Sequence, residues 1–242
     1  MFWWRKEVRP GVSVAFSDAD AGNLALHVSD NPDDVAVRRV RLEEAAGLGQ
    51  RHFQYMNQVH GNAVEFIPAG GVADSAPIAD AMVSTGQPLA VMVADCVPVV
   101  LVGDLPAGAE GSDSATTPPV LAVVHAGRPG VAADVVSAAV TEMRNRGAAG
   151  ISAWLGPSIC GNCYEVPEQM REDVAAVVPE AWATTSWGTP ALDLPAGVRA
   201  QLESLGVTVE YSGDCTRETT GLFSYRREAR TGRFAGLVWT HD

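Results

Sequence analysis

Basic residues are scarce in this chain, and lysine is almost absent. Of 242 residues only 17 are Lys or Arg, with Lys6 the one lysine, against 29 Asp or Glu, giving a formal charge of −12. A field of that sign repels polyanions, and a nucleic-acid groove needs clustered cations, so nucleic acid is excluded as a partner. Histidine is scarce too. Five imidazoles serve one metal site or none, whereas the copper centres of a multicopper oxidase need roughly twice as many. Four cysteines in a chain of this size exclude a disulfide-stapled miniprotein. No apolar run approaches the ~20 residues of a membrane span, and the opening Met1-Phe-Trp-Trp-Arg-Lys lacks the apolar core of a signal peptide. These absences point to a cytoplasmic protein with no membrane partner and no evident protein partner, whose cysteines are thiols or metal ligands.

What is present is an ordinary globular composition, 47% apolar and 19% charged. A chain this long buries about 70% of its unfolded surface, ample for a large core. Residues 32–47 begin with Pro and two acids and end in Gly, the signature of a helix. Short, Val-rich runs at 11–16, 63–67, 81–83, 89–94, 97–102, 119–125, 151–155, 207–211 and 234–239 read as strands. Pro98 places the start of its strand there or puts that strand at an edge. One helical face gathers Val131, Val135, Val136, Ala139, Val140 and Met143 over 131–146, and further helices are expected near 167–178 and 195–205. Residues 103–118 are rich in Gly, Ser, Pro and acid and read as a mobile surface loop. Strands and helices mix without strict alternation. The expectation is a single α+β domain over 1–242, with a mixed, largely buried sheet flanked by helices.

Three stretches are over-specified for packing alone: Asn57-Gln-Val-His60-Gly61, Asp95-Cys96 between two apolar strands, and His125-Ala-Gly127-Arg128-Pro-Gly130 at a strand–turn–helix. Two imidazoles and a thiol at strand ends, His60, His125 and Cys96, suit a transition metal with a fourth position left for water. The same residues also suit hydrogen-bonded core histidines and a small buried thiol, and spacing does not decide between the two. Gly127, Arg128 and Gly130 offer backbone N–H groups and a guanidinium to an anion, or simply make a tight connection. Cys160-Gly-Asn-Cys163 has no second Cys-x-x-Cys to complete a zinc ribbon, so it reads as loop packing. Glu165 is an acid/base candidate or the acidic start of a helix. Arg226, Arg227 and Arg233 read as ion-pair partners for the surplus acids, with anion binding the alternative. His27, His52 and His241 have no matching context.

Taken in order, NQVHG, ADCVPVVL, VVHAGRPG, GPSICGNCYEV and FSYRREARTGRFAGLVW resemble the bacterial YfiH-type laccase-domain family over nearly the whole chain. The resemblance implies an α+β fold shared with a group of proteins classed as cysteine hydrolases. It implies Zn²⁺, with copper as the second choice, on His60, Cys96 and His125. The family was first called polyphenol oxidase or laccase. Its implied chemistry is phosphorolysis of adenosine, inosine, guanosine and methylthioadenosine, and hydrolytic deamination of adenosine. An amidase role in editing peptidoglycan precursors is also attributed to some members, and a non-catalytic zinc-binding module stays open. The partners would be a small nucleoside and phosphate. Carried onto this chain, the expected catalytic residues are Cys96, His125, Asp95 and Asp80, and the substrate or phosphate residues are Arg128, Gly127, Gly130 and Asn57. One departure stands out: the family commonly reads His-Ala-Gly-Trp-Arg-Gly, whereas Arg128-Pro129 follows Gly127 here.

Overall fold

The computed structural model describes residues 1–70, 75–105 and 119–241. Its strands are β1 (Phe2–Arg9), β2 (Val12–Ser17), β3 (Val64–Ile67), β4 (Ala81–Ser84), β5 (Leu89–Val93), β6 (Val97–Asp104), β7 (Val120–Ala126), β8 (Gly150–Leu155), β9 (Trp182–Thr184), β10 (Pro190–Leu192), β11 (Thr208–Tyr211) and β12 (Phe234–Thr240). The helices are α1 (Pro32–Ala46), α2 (Arg128–Ala132), α3 (Val135–Asn145), α4 (Glu168–Ala175) and α5 (Leu194–Ser204). A four-stranded antiparallel sheet runs β1-β2-β12-β5, and a six-stranded sheet runs β11-β8-β6-β7-β4-β3. The larger sheet is mixed: β6, β7, β8 and β4 pair antiparallel, while β3 and β11 add in parallel at its two edges. Strands β9 and β10 form a separate hairpin-like pair.

Period-two alternation sorts the apolar side chains into layers. On β6 and β7, Val99, Leu101, Ala122 and Val124 face the helical side, where α3 contributes Val136, Ala139 and Val140 and α5 contributes Val198 and Leu202. Val100, Val102, Leu121 and Val123 point the other way and meet Val14, Phe16, Val91 and Val238 of the smaller sheet. The far face of that sheet carries Ala15, Leu237 and Trp239 against Leu42 and Ala46 of α1. The result is helix, sheet, sheet, helices: the expected α+β domain, with two stacked sheets where the sequence patterning announced one.

Several expectations shift for identifiable reasons. The helix read over 131–146 divides into α2 and α3, because Asp134 takes a left-handed φ of 59°. The loop read from 103 begins later: Gly103 and Asp104 extend β6, opposite Ile151 and Gly150 of β8. A Cβ at Gly103 would sit 2.6 Å from that of Ala148, so its glycine serves close packing and not chain mobility. Residues 106–118 of that expected loop lie outside the described residues. Strand β1 was not apparent, because its burial is irregular and its side chains are largely exposed. Pro98 is the second residue of β6, which begins at Val97 in the interior of the sheet, so the edge placement does not hold; pairing with β8 starts only at Val99.

Phe16 fills the space between the sheets against Gly156, where an added Cβ would come within 2.3 Å of its ring. Phe16→Ala is expected to lower the unfolding free energy by about 3–5 kcal/mol in chemical denaturation. Val40→Ala, on the exposed side of α1, is expected to change it by less than about 0.5 kcal/mol.

Candidate metal centre

Both sheets end at one place. Strand β4 is entered from Asp80, β6 from Cys96, and β7 runs out through His125 to Gly127, so their termini share one end of the larger sheet. Strand β5 of the smaller sheet passes through Ala94-Asp95-Cys96 directly into β6 of the larger one. The over-specified stretch between the two apolar strands is therefore a crossing between sheets. The chain makes it with Asp95 at a φ of 97°, a conformation that non-glycine residues rarely adopt. His60 has a φ of 61°, so two residues of the site hold strained backbone.

Asp80 is the anchor. Its carboxylate is fully buried and accepts the backbone N–H groups of Val59, His60 and Gly61 at 3.3, 2.9 and 2.6 Å. The same carboxylate accepts Nδ1 of His125 at 2.8 Å. The backbone N–H of His125 also donates to the Asp80 carbonyl at 2.7 Å. One side chain thus fixes the turn that carries His60 and the ring of His125, leaving Nε2 of His125 as the free ligand atom. The two imidazoles meet edge to face with centroids 4.6 Å apart. Cys96 Sγ lies 4.0 Å from His60 Nε2, and one donor atom from each of His60, Cys96 and His125 lies within 4.8 Å of the others. A Cβ on Gly127 would approach His60 at 2.8 Å and Cys96 Sγ at 3.2 Å, so the cluster needs glycine there.

These three residues suit a metal ion. Imidazole and thiolate are the donors that zinc and copper prefer, and an orienting carboxylate behind a ligand histidine is the usual support of such a site. Without an ion the charges favour each other. Burial pushes the Cys96 thiol up, but the positive ring of His125 and hydrogen bonds from both imidazoles outweigh it and bring it down to about 6. Burial opposes a charge on His125, yet the Cys96 thiolate and Asp80 raise it to about 9. Burial also opposes the Asp80 charge, but the bond to His125 and the Gly61 N–H hold that carboxyl below the usual range.

The cluster opens onto a cavity of about 370 Å³. Its walls include Asp95, Ile159, Tyr164, Tyr225, Arg226, Arg233 and His27. The other expected site residues fall around it unevenly. Asp95 reaches the wall, but both its oxygens are occupied: Oδ1 accepts Thr216 Oγ1 and Oδ2 accepts the Arg226 N–H, each at 2.6 Å. Asp80 is not on the wall. Gly130 packs its backbone against the Gly61 carbonyl. Asn57 pairs in a backbone bridge with Ile78 and is not part of the lining. Arg128 sits beside Tyr164, whose hydroxyl interacts with its guanidinium, and does not itself line the cavity. Helix α2 is only five residues long, with Pro129 removing one donor, so its start offers little to an anion.

Other residues move to new roles. Arg226 and Arg233 have no carboxylate side chain as partner among the described residues. Arg226 donates to the Glu165 carbonyl at 2.6 Å, Arg233 to the carbonyls of Thr231 and Gly232, and both face the cavity. Arg227 donates to the carbonyls of Thr216, Arg217, Thr219 and Leu222. The ion-pair expectation for these arginines gives way because they are wrapped by loop carbonyls. Glu165 accepts from Trp187 Nε1 at 2.8 Å and is not on the cavity wall. His27 has no local motif, and only the tertiary packing brings it to the site; burial and the nearby cations Arg233, His125 and His60 favour its neutral form. Cys160 and Cys163 do not join the three-ligand cluster.

A family model described as multi-copper polyphenol oxidoreductase laccase matches residues 6–241. The chain belongs to this family. Among its relatives is "Purine nucleoside phosphorylase ORF3" of Streptomyces griseus, 47% identical over 223 residues that cover 90% of this chain and 86% of that protein. "Purine nucleoside phosphorylase YfiH" of Shigella flexneri is 35% identical over 230 residues, covering 93% and 89%. The crystal structure of protein NMB0706 from Neisseria meningitidis superposes with a TM-score of 0.82 at 28% identity, covering 100% of this chain and 99% of that one. The resemblance read from the five motifs is therefore shown, and so is the single-domain α+β fold with mixed sheets. The family description names several coppers, whereas the imidazole-bearing donor cluster among the described residues is one of two His and one Cys. Among the described residues no helix is long and apolar enough to cross a membrane.

Two outcomes are expected from this geometry. Asp80→Asn keeps the shape but loses the charge behind His125, and should weaken metal affinity about 10–100-fold in chelator competition. In metal-stripped protein, alkylation of Cys96 followed by peptide mass mapping should rise with a midpoint near pH 6. It should level off well below the pH at which an ordinary cysteine reacts, because the thiolate is the nucleophile.

Proposed function

We propose that this chain is a metal-dependent purine nucleoside phosphorylase acting on adenosine, inosine, guanosine and methylthioadenosine, with adenosine deamination as a second activity. The observation that carries the reading is a three-ligand cluster, with no fourth protein donor among the described residues, opening onto a cavity lined by two arginines. A closed structural site would have four protein ligands, so the open position favours a catalytic centre over a stabilising one. The metal we assign is Zn²⁺, with copper the other ion that these donors accept. A bound Zn²⁺ would supply a Lewis acid at the cavity floor.

Phosphorolysis breaks the C1′–N9 bond of the nucleoside and forms a C1′–O bond to phosphate, releasing the free purine. Phosphate must therefore be held against C1′. Arg226 and Arg233 are the cations on the wall and take that role in place of Arg128, against a chain whose global charge is −12. Tyr164 and Tyr225 offer aromatic faces to the purine, and Arg226 already lies 4.8 Å from the Tyr164 ring. Asp95 and Asp80 act by positioning, since their oxygens are spent on internal hydrogen bonds. His27, favoured in its neutral form, is the cavity group able to accept a proton during deamination. The carry-over of roles to Gly127 and Gly130 is steric: they admit the ligands and the Gly61 backbone.

A second reading has one observation behind it. The thiolate character of Cys96 beside the His125 imidazolium is what a cysteine hydrolase or amidase uses. The two readings separate by product. Purified protein is incubated with adenosine, inosine or methylthioadenosine, with and without phosphate, and products are read by mass spectrometry alongside bound metal. Phosphorylase activity gives ribose-1-phosphate (or its methylthio analogue) and free base only when phosphate is present. Arg233→Ala should raise the KM for phosphate at least tenfold with a smaller effect on the KM for nucleoside. His60→Ala should abolish turnover together with the metal held by the His60–Cys96–His125 cluster. Phosphate-independent turnover, or full activity in Cys96→Ala protein with no metal on His60 and His125, sinks the proposal.

A further inference from the structure

A second group of donors, sharing no residue with the first, is formed by Cys160, Cys163, Cys215 and Glu218. Apolar packing was the expectation for the Cys160–Cys163 pair, and the thiols do pack with Ile159 and Tyr164. Packing does not account for what the tertiary structure adds. A third thiol and a carboxylate arrive from 55 residues further along the chain, and one donor atom of each residue lies within 4.8 Å of the other three.

The backbone of both arms has the same form. Cys163 and Tyr164 donate their N–H groups to the Cys160 carbonyl, each at 3.0 Å. Glu218 and Thr219 do the same to the Cys215 carbonyl, at 3.2 and 3.0 Å. Each arm is thus a single turn that presents two donors at positions i and i+3. The arms are clamped together by a parallel bridge, Ser158 N–H to the Asp214 carbonyl and Thr216 N–H to the Ser158 carbonyl. Across this bridge the Cys160 N–H points at Cys215 Sγ, 3.5 Å away. Backbone donors of this kind support thiolate ligands in metal centres.

We propose that Cys160, Cys163, Cys215 and Glu218 bind a second divalent ion of the zinc class in a closed, structural centre. Zinc bonds of ~2.3 Å to sulfur and ~2.0–2.2 Å to oxygen set the donors of a tetrahedron about 3.5–3.8 Å apart. Contraction from separations of up to 4.8 Å is then at most about 1.3 Å. Three thiol protons leave as the ion enters. Cys163 and Cys215 are buried, Cys160 is half-buried and Glu218 is exposed, so the ion enters from the Glu218 side. The Arg227 guanidinium is held by the carbonyls of Thr216, Arg217 and Thr219 along the same turn. Unlike the His60–Cys96–His125 cluster, this centre has four protein ligands and leaves no position for substrate. Its effect on the site is through neighbours in sequence. Tyr164 follows Cys163 onto the cavity wall, and Thr216 follows Cys215 onto the Asp95 carboxylate at 2.6 Å. The ion ties these two walls together.

Metal content tests this independently of any activity. Full-length protein from zinc-supplemented culture, purified without chelator, should carry two equivalents per chain by elemental mass spectrometry. Cys96→Ser and Cys163→Ser should each leave one. Glu218→Ala, at an exposed position, should keep the fold and release the second ion to a chelator at least tenfold faster. Should Cys163→Ser fail to fold, cobalt titration of Cys96→Ser decides: one equivalent should give a thiolate-to-cobalt charge-transfer band that Glu218→Ala alters. The proposal is overturned by a single equivalent in the parent protein that vanishes in Cys96→Ser, by absence of that band, or by an intact mass two hydrogens short from a Cys160–Cys163 disulfide.

Discussion

The buried carboxylate of Asp80 is the interaction on which the site depends. A fully buried charge survives only when its hydrogen-bonding capacity is used. Asp80 meets that condition with three backbone N–H groups from the turn at residues 59–61 and the ring of His125. The turn holds His60 in a left-handed conformation that it would not keep unaided. Satisfying one anion therefore places two ligands, and the cost of the strain is met by the same bonds. Cys96 completes the cluster because the chain must cross from the smaller sheet to the larger one there.

That crossing explains why the site lies where it does. Two stacked sheets need a connection at one end, and β5 and β6 make theirs in three residues, Ala94 to Cys96. Asp95 turns the corner, its carboxylate tethered to Thr216 and to the Arg226 backbone. The C-terminal segment is drawn over the sheet ends by these bonds, bringing Arg226 and Arg233 to the cavity. A molecule with a strong acidic surplus thereby presents cations at one recess, and this supports recognition of an anion by local geometry in a chain whose overall field opposes it. The cysteine pairs obey the same logic: segments 158–164 and 214–219 meet beneath the cavity wall because that C-terminal stretch lies there.

Much of the fold was legible because burial enforces periodicity. The Val-rich strands from β2 to β8, helix α1 with its Pro32 start and Gly47 stop, and β12 all fall within a residue or two of where the apolar runs and helix-end signals put them. The exposed strand β1 and the short pair β9 and β10 carried no such signal. In the site, His60, Cys96 and His125 were legible as chemistry-bearing residues at strand ends, and the motifs tied them to a family. Arg226 and Arg233 fall within the last of the five motifs and read first as ion-pair partners, with anion binding the alternative. His27 was not legible as a wall residue, since loops have no fixed period.

The sequence by itself determined the candidate ligand types, the placement of most buried strands and the membership of the family, all of which follow from local residue order. Tertiary structure alone decided that the strands form two sheets and which oxygens of Asp80 and Asp95 are already spent. It also decided that the arginines face a cavity and that Glu218 comes to three thiols. Those facts depend on contacts between segments far apart in the chain. Their geometry is fixed by packing the sheets face to face and by satisfying buried polar groups, neither of which leaves a local imprint in the sequence.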